Sequence, residues 1–383
     1  PGKNIFTSIS ENDILLHHPY ESFEPVIALV EQSATDPKVL AIKQTLYRTA
    51  NNSRVISALI RAAENGKQVT VVVELKARFD EARNLERADE LEKAGVQIIY
   101  GVKGYKTHCK ITLVVRNENK ELKRYTHFGT GNYNEVTAGL YTDISYMTSR
   151  RKYGYEAASL FNALTGGSKL KGMKNLIVAP FYLRKKFIEL IEREIRNAEQ
   201  GKEARIDIKV NNLQDVSIIR SLYKASHAGV KIRLNVRGIC CLQPGLKKIS
   251  KNIKVMSTVD RYLEHSRILS FYNGGKATVF ISSADLMERS FDRRVESMVE
   301  IKDSGSKKRV LEILEGSFRD NSHSYELESD GTYVLREATK GEKRFRAQSF
   351  FHGQSVKRAG KISLLKETSF VPHKPKKKMD EAI

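Results

Sequence analysis

The 383-residue sequence has no tryptophan, only three cysteines and no apolar run approaching the length of a membrane span. Three cysteines, with Cys240 and Cys241 adjacent, do not make a disulfide framework, so the chain suits a reducing cytoplasm. A spanning helix needs roughly 18 or more consecutive apolar residues, and a secretory signal needs a charged stretch ahead of an apolar one; the sequence offers neither. Any membrane contact is then peripheral and charge-driven. Aromatic side chains do not form a stripe among the basic residues, so the stacking platform of a nucleic-acid module is missing, and no stable nucleic-acid complex is expected. Acidic charge is also short. Against 66 Lys plus Arg stand 45 Asp plus Glu, leaving +21, which requires a polyanionic partner: nucleic acid, an anionic membrane or a phosphate-rich substrate.

What is present is a globular composition, 40% apolar, with length enough for two domains that each bury a core. The order of elements repeats. In the first half Asn51 and Asn52 precede a helical pattern (Val55, Leu59, Ala62), then Gly66, then the alternating Val69, Val71 and Val73. In the second, Asn211 and Asn212 precede Ile218, Leu222 and Ala225, then Gly229, then Ile232, Leu234 and Val236. Each set reads as an N-capped helix closed by glycine and followed by a strand. An arginine follows each strand, Arg78 or Arg237. Next come His108-Cys109-Lys110 and His265-Ser266-Arg267, each leading through a strand, a turn and a strand to a polar loop. The loops are Gly129-Thr130-Gly131-Asn132 and Ser282-Ser283-Ala284-Asp285.

Side chains alternate faces along a strand, so each histidine is expected to share a face with the cation two residues on. An imidazole beside a fixed cation is what an anionic phosphoryl group needs. If the halves pack about a pseudo-twofold axis, one site draws a histidine from each. One imidazole attacks phosphorus, and the other serves as acid or base. Lys110, Arg267, Arg48, Arg78 and Arg237 would neutralise the nonbridging oxygens.

The expected organisation is a lead-in over residues 1–36, a first α/β domain over 37–168, a second over 169–353 and a basic, irregular tail over 354–383. The lead-in has no folding logic of its own, which suggests a piece of a longer chain. His127 reads as a packing residue, His17 and His18 as cap or surface residues and Cys109 as core. Arg293, Arg294 and Glu296 read as a strand edge, where an arginine facing a polyanion is as well supported as a solvated one.

Two α/β halves with H-x-K-like and GSxN-like elements resemble the phospholipase D superfamily. The sequence departs from that pattern, since Thr112 to Arg116 contains no acid, Arg267 replaces lysine and Asp285 replaces asparagine. A finer resemblance is to bacterial polyphosphate kinases of the histidine-phosphorylated type. It is carried by TLYRTA (45–50), VVVELKARFDE (71–81), KTHCK (106–110), HFGTGNYNE (127–135), LYTD (140–143), VRGIC (236–240), VDRYLEHSR (259–267) and SSADLM (282–287). These segments correspond to the two C-terminal domains of that family.

The resemblance implies two tandem phospholipase D-like α/β domains that reversibly transfer the ATP γ-phosphate to inorganic polyphosphate. His108 would be the phosphorylated residue, and His265 would handle protons and contact nucleotide. Tyr141, Arg237 and Asn132 would lie on the nucleotide side. Arg48 and Arg78 would flank a Mg²⁺ held mainly by phosphates, because a guanidinium cannot ligate a cation directly. ATP/ADP and polyphosphate would be the partners, and the longer enzyme a homo-oligomer. The rival readings are a phosphodiesterase or nuclease built on the same motifs, and a basic nucleic-acid module, which would leave both histidine motifs unexplained.

Overall fold

The computed structural model describes residues 4–47, 53–74, 81–102, 104–166, 170 and 173–367. Its first sheet runs Ile14–His18, Tyr141–Thr148, Glu121–Gly129, Lys110–Glu118, Val39–Leu46, Gln68–Val73 and Gln97–Tyr100. The second runs Leu176–Ala179, Arg294–Glu300, Thr278–Ser282, Arg267–Phe271, Arg205–Val210, Lys231–Val236 and Ile253–Thr258, then adds Ser324–Leu327 and Tyr333–Leu335 at the far edge. In both, the first four pairings are antiparallel and the next two parallel, and the two further pairings of the second sheet are antiparallel. The repeated sequence order is therefore a repeated fold.

The parallel pairs are joined by the helices Arg54–Glu64 and Val216–His227, whose apolar residues recur at helical spacing and are buried. Each helix ends at a glycine in the left-handed region, Gly66 at φ 74° and Gly229 at φ 94°, where a side chain would be strained. One apolar cluster lies in each half. A third, holding Ile111, Tyr146 and Phe161 with Ile268, Val295 and Phe318, joins the halves.

Two short strands stitch the halves reciprocally. Lys106–Thr107, from the first half, runs parallel to Arg294–Val295 of the second sheet. Leu263–Glu264, from the second, runs parallel to Tyr141–Thr142 of the first. His108 and His265 follow these stitches directly, just before the long strands that open at Lys110 and Arg267. Both histidines thus sit at the junction of the halves rather than within a strand.

Four expectations need correction. The segment read as a lead-in supplies strand Ile14–His18 and helix Glu24–Thr35, the counterparts of Leu176–Ala179 and helix Leu183–Glu199, so the repeat unit starts there. His17 and His18 are buried, not at the surface; the His18 ring bonds the Glu21 carbonyl at 2.9 Å and the Ser145 hydroxyl at 2.9 Å. The second helix is capped by Asp215, which accepts from Ile218 N–H at 3.0 Å, while Asn211 and Asn212 accept from Arg237 Nε and Ile239 N–H. Asn51 and Asn52 lie outside the described residues. From Gln354 to Glu367 the chain is not irregular, because helix Ala347–Glu367 continues through it; residues 368–383 lie outside the described residues.

Candidate active site

The two histidines are held by the same construction, each completed by the other half. His108 is joined through Nδ1 to Glu296 Oε2 at 2.9 Å, and His265 through Nδ1 to Asp143 at 2.8 and 2.9 Å. Each carboxylate in turn accepts from a hydroxyl of the polar loop 13 residues before it. Thr130 Oγ1 donates to Asp143 at 2.5 Å and Ser283 Oγ to Glu296 at 2.5 Å. The backbone N–H after each carboxylate, of Ile144 or Ser297, closes the motif by donating to that hydroxyl at 2.9 and 3.0 Å. A carboxylate on Nδ1 places the proton there and leaves Nε2 its lone pair.

The cations differ. Arg267 is buried; its Nη1 faces His265 Nε2 at 3.2 Å, and its Nε and Nη2 donate to both oxygens of Asp285 at 3.3 Å. Lys110, also buried, donates from Nζ to the His108 carbonyl at 2.5 Å. Among the described residues nothing hydrogen-bonds His108 Nε2, and the side chain keeps 12% of its exposure. The Tyr47 ring stands edge-on to His108 at 5.0 Å between centroids.

Burial dominates the electrostatics. It lowers both imidazoles below their ordinary range, helped by Lys110 and Arg294 at His108 and opposed by Asp143 at His265. Burial also pushes the Glu296 carboxyl up to about 7, despite Lys110 and Arg294, and drops the Lys110 ammonium to about 7, despite Glu296. Asp143 goes the other way: His265, Thr130 and Arg267 outweigh its burial and hold it below the usual carboxylate range. Against its burial, Asp285 is also held well below the usual carboxylate range, by Arg267 and the N–H groups of Asn211 and Asn212. The departure from asparagine at 285 thus gives Arg267 its counter-ion.

The other expected residues gather less uniformly. The Tyr141 ring lies 5.4 Å from that of His265. Arg237 donates to Asn211 at 2.8 Å, and burial and Arg267 lower its pKa. Asn132 Oδ1 is buried and has no hydrogen-bond partner among the described residues. Arg48 and Arg78 lie outside the described residues. Glu296, read as part of a strand edge, sits on an internal strand and proves to be the partner of His108. His127 packs as expected, its Nδ1 at 2.7 Å from the Tyr133 hydroxyl. Sequence reasoning missed the roles of Asp143, Glu296, Thr130 and Ser283. The equal spacing of 13 from loop hydroxyl to carboxylate was the available signal.

Two sheets of one topology that share a paired-histidine site define a phospholipase D-like fold. A phosphatidylserine synthase structure from Haemophilus influenzae has this fold too, with a TM-score of 0.57 at 10% identity over 93% of this chain and 94% of that one. The particular family follows from closer matches. Residues 4–170 match Polyphosphate kinase C-terminal domain 1, and residues 176–348 match Polyphosphate kinase C-terminal domain 2. The chain belongs to the polyphosphate kinase family. It is 51% identical over 377 residues to a polyphosphate kinase of Rhodopirellula baltica, covering 98% of this chain and 44% of that protein. It is 50% identical over 348 residues to that of Halalkalibacterium halodurans, covering 91% and 49%. The crystal structure of polyphosphate kinase from Porphyromonas gingivalis superposes with a TM-score of 0.85 at 38% identity, over 95% of this chain and 54% of that one. The chain spans about half the length of the curated relatives it matches. Among the described residues no helix is long and apolar enough to cross a membrane.

Proposed function

We propose that this chain is the catalytic half of a polyphosphate kinase, moving the ATP γ-phosphate reversibly onto inorganic polyphosphate through a phosphohistidine at His108. One observation carries the reading. Of two imidazoles held alike through Nδ1, only that of His108 presents an Nε2 to which no described residue hydrogen-bonds, whereas that of His265 faces Arg267. In the first step His108 Nε2 bonds to the γ-phosphorus as the γ-phosphorus bond to the β–γ bridging oxygen breaks and ADP leaves. In the second, a terminal oxygen of polyphosphate attacks the same phosphorus and the N–P bond breaks. His265 holds or moves the proton on the entering or departing oxygen. Lys110 and Arg267, with Arg48, Arg78 and Arg237, carry the charge of the nonbridging oxygens.

Tyr141, Arg237 and Asn132 form the nucleotide side of the site. The described carboxylates fit a magnesium cage poorly: Asp143, Glu296 and Asp285 are each bonded to a histidine or arginine, and no group of three potential ligands occurs among the described residues. A Mg²⁺ would therefore come bound to the nucleotide's own phosphates, neutralising them. We place the protein in the cytoplasm, as part of a longer homo-oligomeric enzyme, with peripheral membrane contact through its basic charge.

Incubation of the intact enzyme with [γ-³²P]ATP tests the reading. The expected result is acid-labile, alkali-stable label on the chain and labelled polymer as product, with the label absent from His108→Ala and still formed, slowly, by His265→Ala. Label on His108→Ala, or cleavage of a phosphodiester in place of polymer formation, would defeat it.

A further inference from the structure

Beside the strand pairing that leads into His108 the surface opens into two contiguous grooves that the proposed phosphotransfer does not use. The nearer, of about 670 Å³, is lined by Lys106 and Arg294, which flank the stitch into His108, together with Arg289 and Arg293. The farther, of about 1120 Å³, shares Arg289 and Arg293 and continues to Arg220 on the first turns of helix Val216–His227. The shared arginines make the two one trough. It starts where Lys106 N–H donates to the Arg293 carbonyl at 3.1 Å, two residues from His108.

Charge in the trough is one-sided. The nearer groove has four Lys or Arg against Glu74 alone, and the farther has four Arg against Asp215 and Glu288. Asp215 is paired with Arg184, which it shares with Asp292. Arg220, Arg289 and Arg293 are exposed, and among the described residues their guanidinium groups make no ion pair and no side-chain hydrogen bond. Unpaired arginines ranged along a trough repel one another and lose side-chain freedom on ordering, so their arrangement gains nothing for the free protein. It suits a ligand that carries regularly spaced negative charge along its length.

We infer that this trough, through Arg293, Arg289 and Arg220, binds the distal part of a linear polyphosphate whose terminal phosphate is at His108. The inference rests on the proposed phosphotransfer and adds the place where the growing chain is held. Binding there releases counterions in proportion to the charges contacted, so the trough supplies affinity for long chains without discriminating the reacting end. Short phosphates and ATP reach the histidines without touching it.

The triple variant Arg220→Gln/Arg289→Gln/Arg293→Gln tests this in the full chain. Affinity for long-chain polyphosphate should fall at least about tenfold at low salt, and the slope of log K against log salt should flatten by about 2, from three charges at about 0.7 each. Tripolyphosphate binding and labelling of His108 by ATP should stay at wild-type level, which also reports that the fold is intact. Unchanged long-chain affinity would overturn the inference. So would an equal loss for tripolyphosphate, which would put the arginines at the reacting end, or a loss confined to single-stranded RNA, which would make the trough a nucleic-acid site. Absence of His108 label in the wild-type chain would instead defeat the phosphotransfer reading, while the binding comparison would still report on the trough.

Discussion

The two halves build the same hydroxyl–carboxylate–imidazole chain and then diverge at the cation. In the second half Arg267 has a full counter-ion in Asp285 and points at His265 Nε2, so its charge is fixed and the imidazole lone pair is occupied. In the first half Lys110 has no such counter-ion beyond Glu296, and burial leaves both groups titrating near 7. Duplication supplied a symmetric scaffold. The asymmetry in the cation and its counter-ion leaves His108 Nε2 without a described hydrogen-bond partner and faces His265 Nε2 with Arg267, the difference on which the proposed division of roles rests.

The largest effect should come from removing the orienting carboxylates. Glu296→Gln and Asp143→Asn each keep the shape and lose the charge that fixes the Nδ1–H tautomer, and turnover should fall by about 10²-fold or more in either. Rapid label should be lost with Glu296→Gln, whereas Asp143→Asn should still label in a single turnover. Equal labelling defects in a quench-flow comparison would erase the distinction between the halves.

A smaller and sharper test is pH. The His108 tautomer with a free Nε2 requires Glu296 ionised, which is lost as pH falls through about 7; the clamp requires Lys110 protonated, which is lost as pH rises through about 7. The rate of His108 labelling at low ATP should therefore be bell-shaped around neutrality, with apparent values that belong to the coupled pair. Lys110→Arg keeps its charge at high pH and should move the alkaline limb upward while leaving the acid limb in place. A profile unchanged by that substitution would remove Lys110 from the rate-determining ionisation.

The smallest effect is expected at the loop hydroxyls. Ser283→Ala and Thr130→Val each remove one hydrogen bond to a buried carboxylate, a change on the order of 1–3 kcal/mol. Because Asp143 also depends on Thr130 to stay ionised, Thr130→Val should raise the acid limb of turnover, while Ser283→Ala should raise that of labelling. Steady-state and single-turnover pH profiles of the two variants check this.

Much of this was legible in the sequence. The repeat, the glycine closures and the two histidine motifs follow from local pattern, and strands and helices obey it. The orienting carboxylates did not, because Glu296 lies 188 residues from His108 and Asp143 lies 122 from His265. The reciprocal stitches and the shared apolar cluster bring them together, and no periodicity records a contact between halves. The asparagines misled for a related reason: a side chain that could cap its own helix was used to hold Arg237 and the Ile239 amide instead. The first strand and helix read as a lead-in because neither repeated motif marks them, though the sheet needs that edge.

The traded strands before His108 and His265 have a further consequence. Once each copy lends the other the stretch that leads into its histidine, neither copy can be deleted, reordered or separated without dismantling the site they share. The duplication is locked in place. A hinge that opened the halves would pull each histidine from its carboxylate, so turnover cannot rely on opening and closing between them. Under the proposed phosphotransfer the reacting centre would stay fixed, and the polymer would have to advance past it.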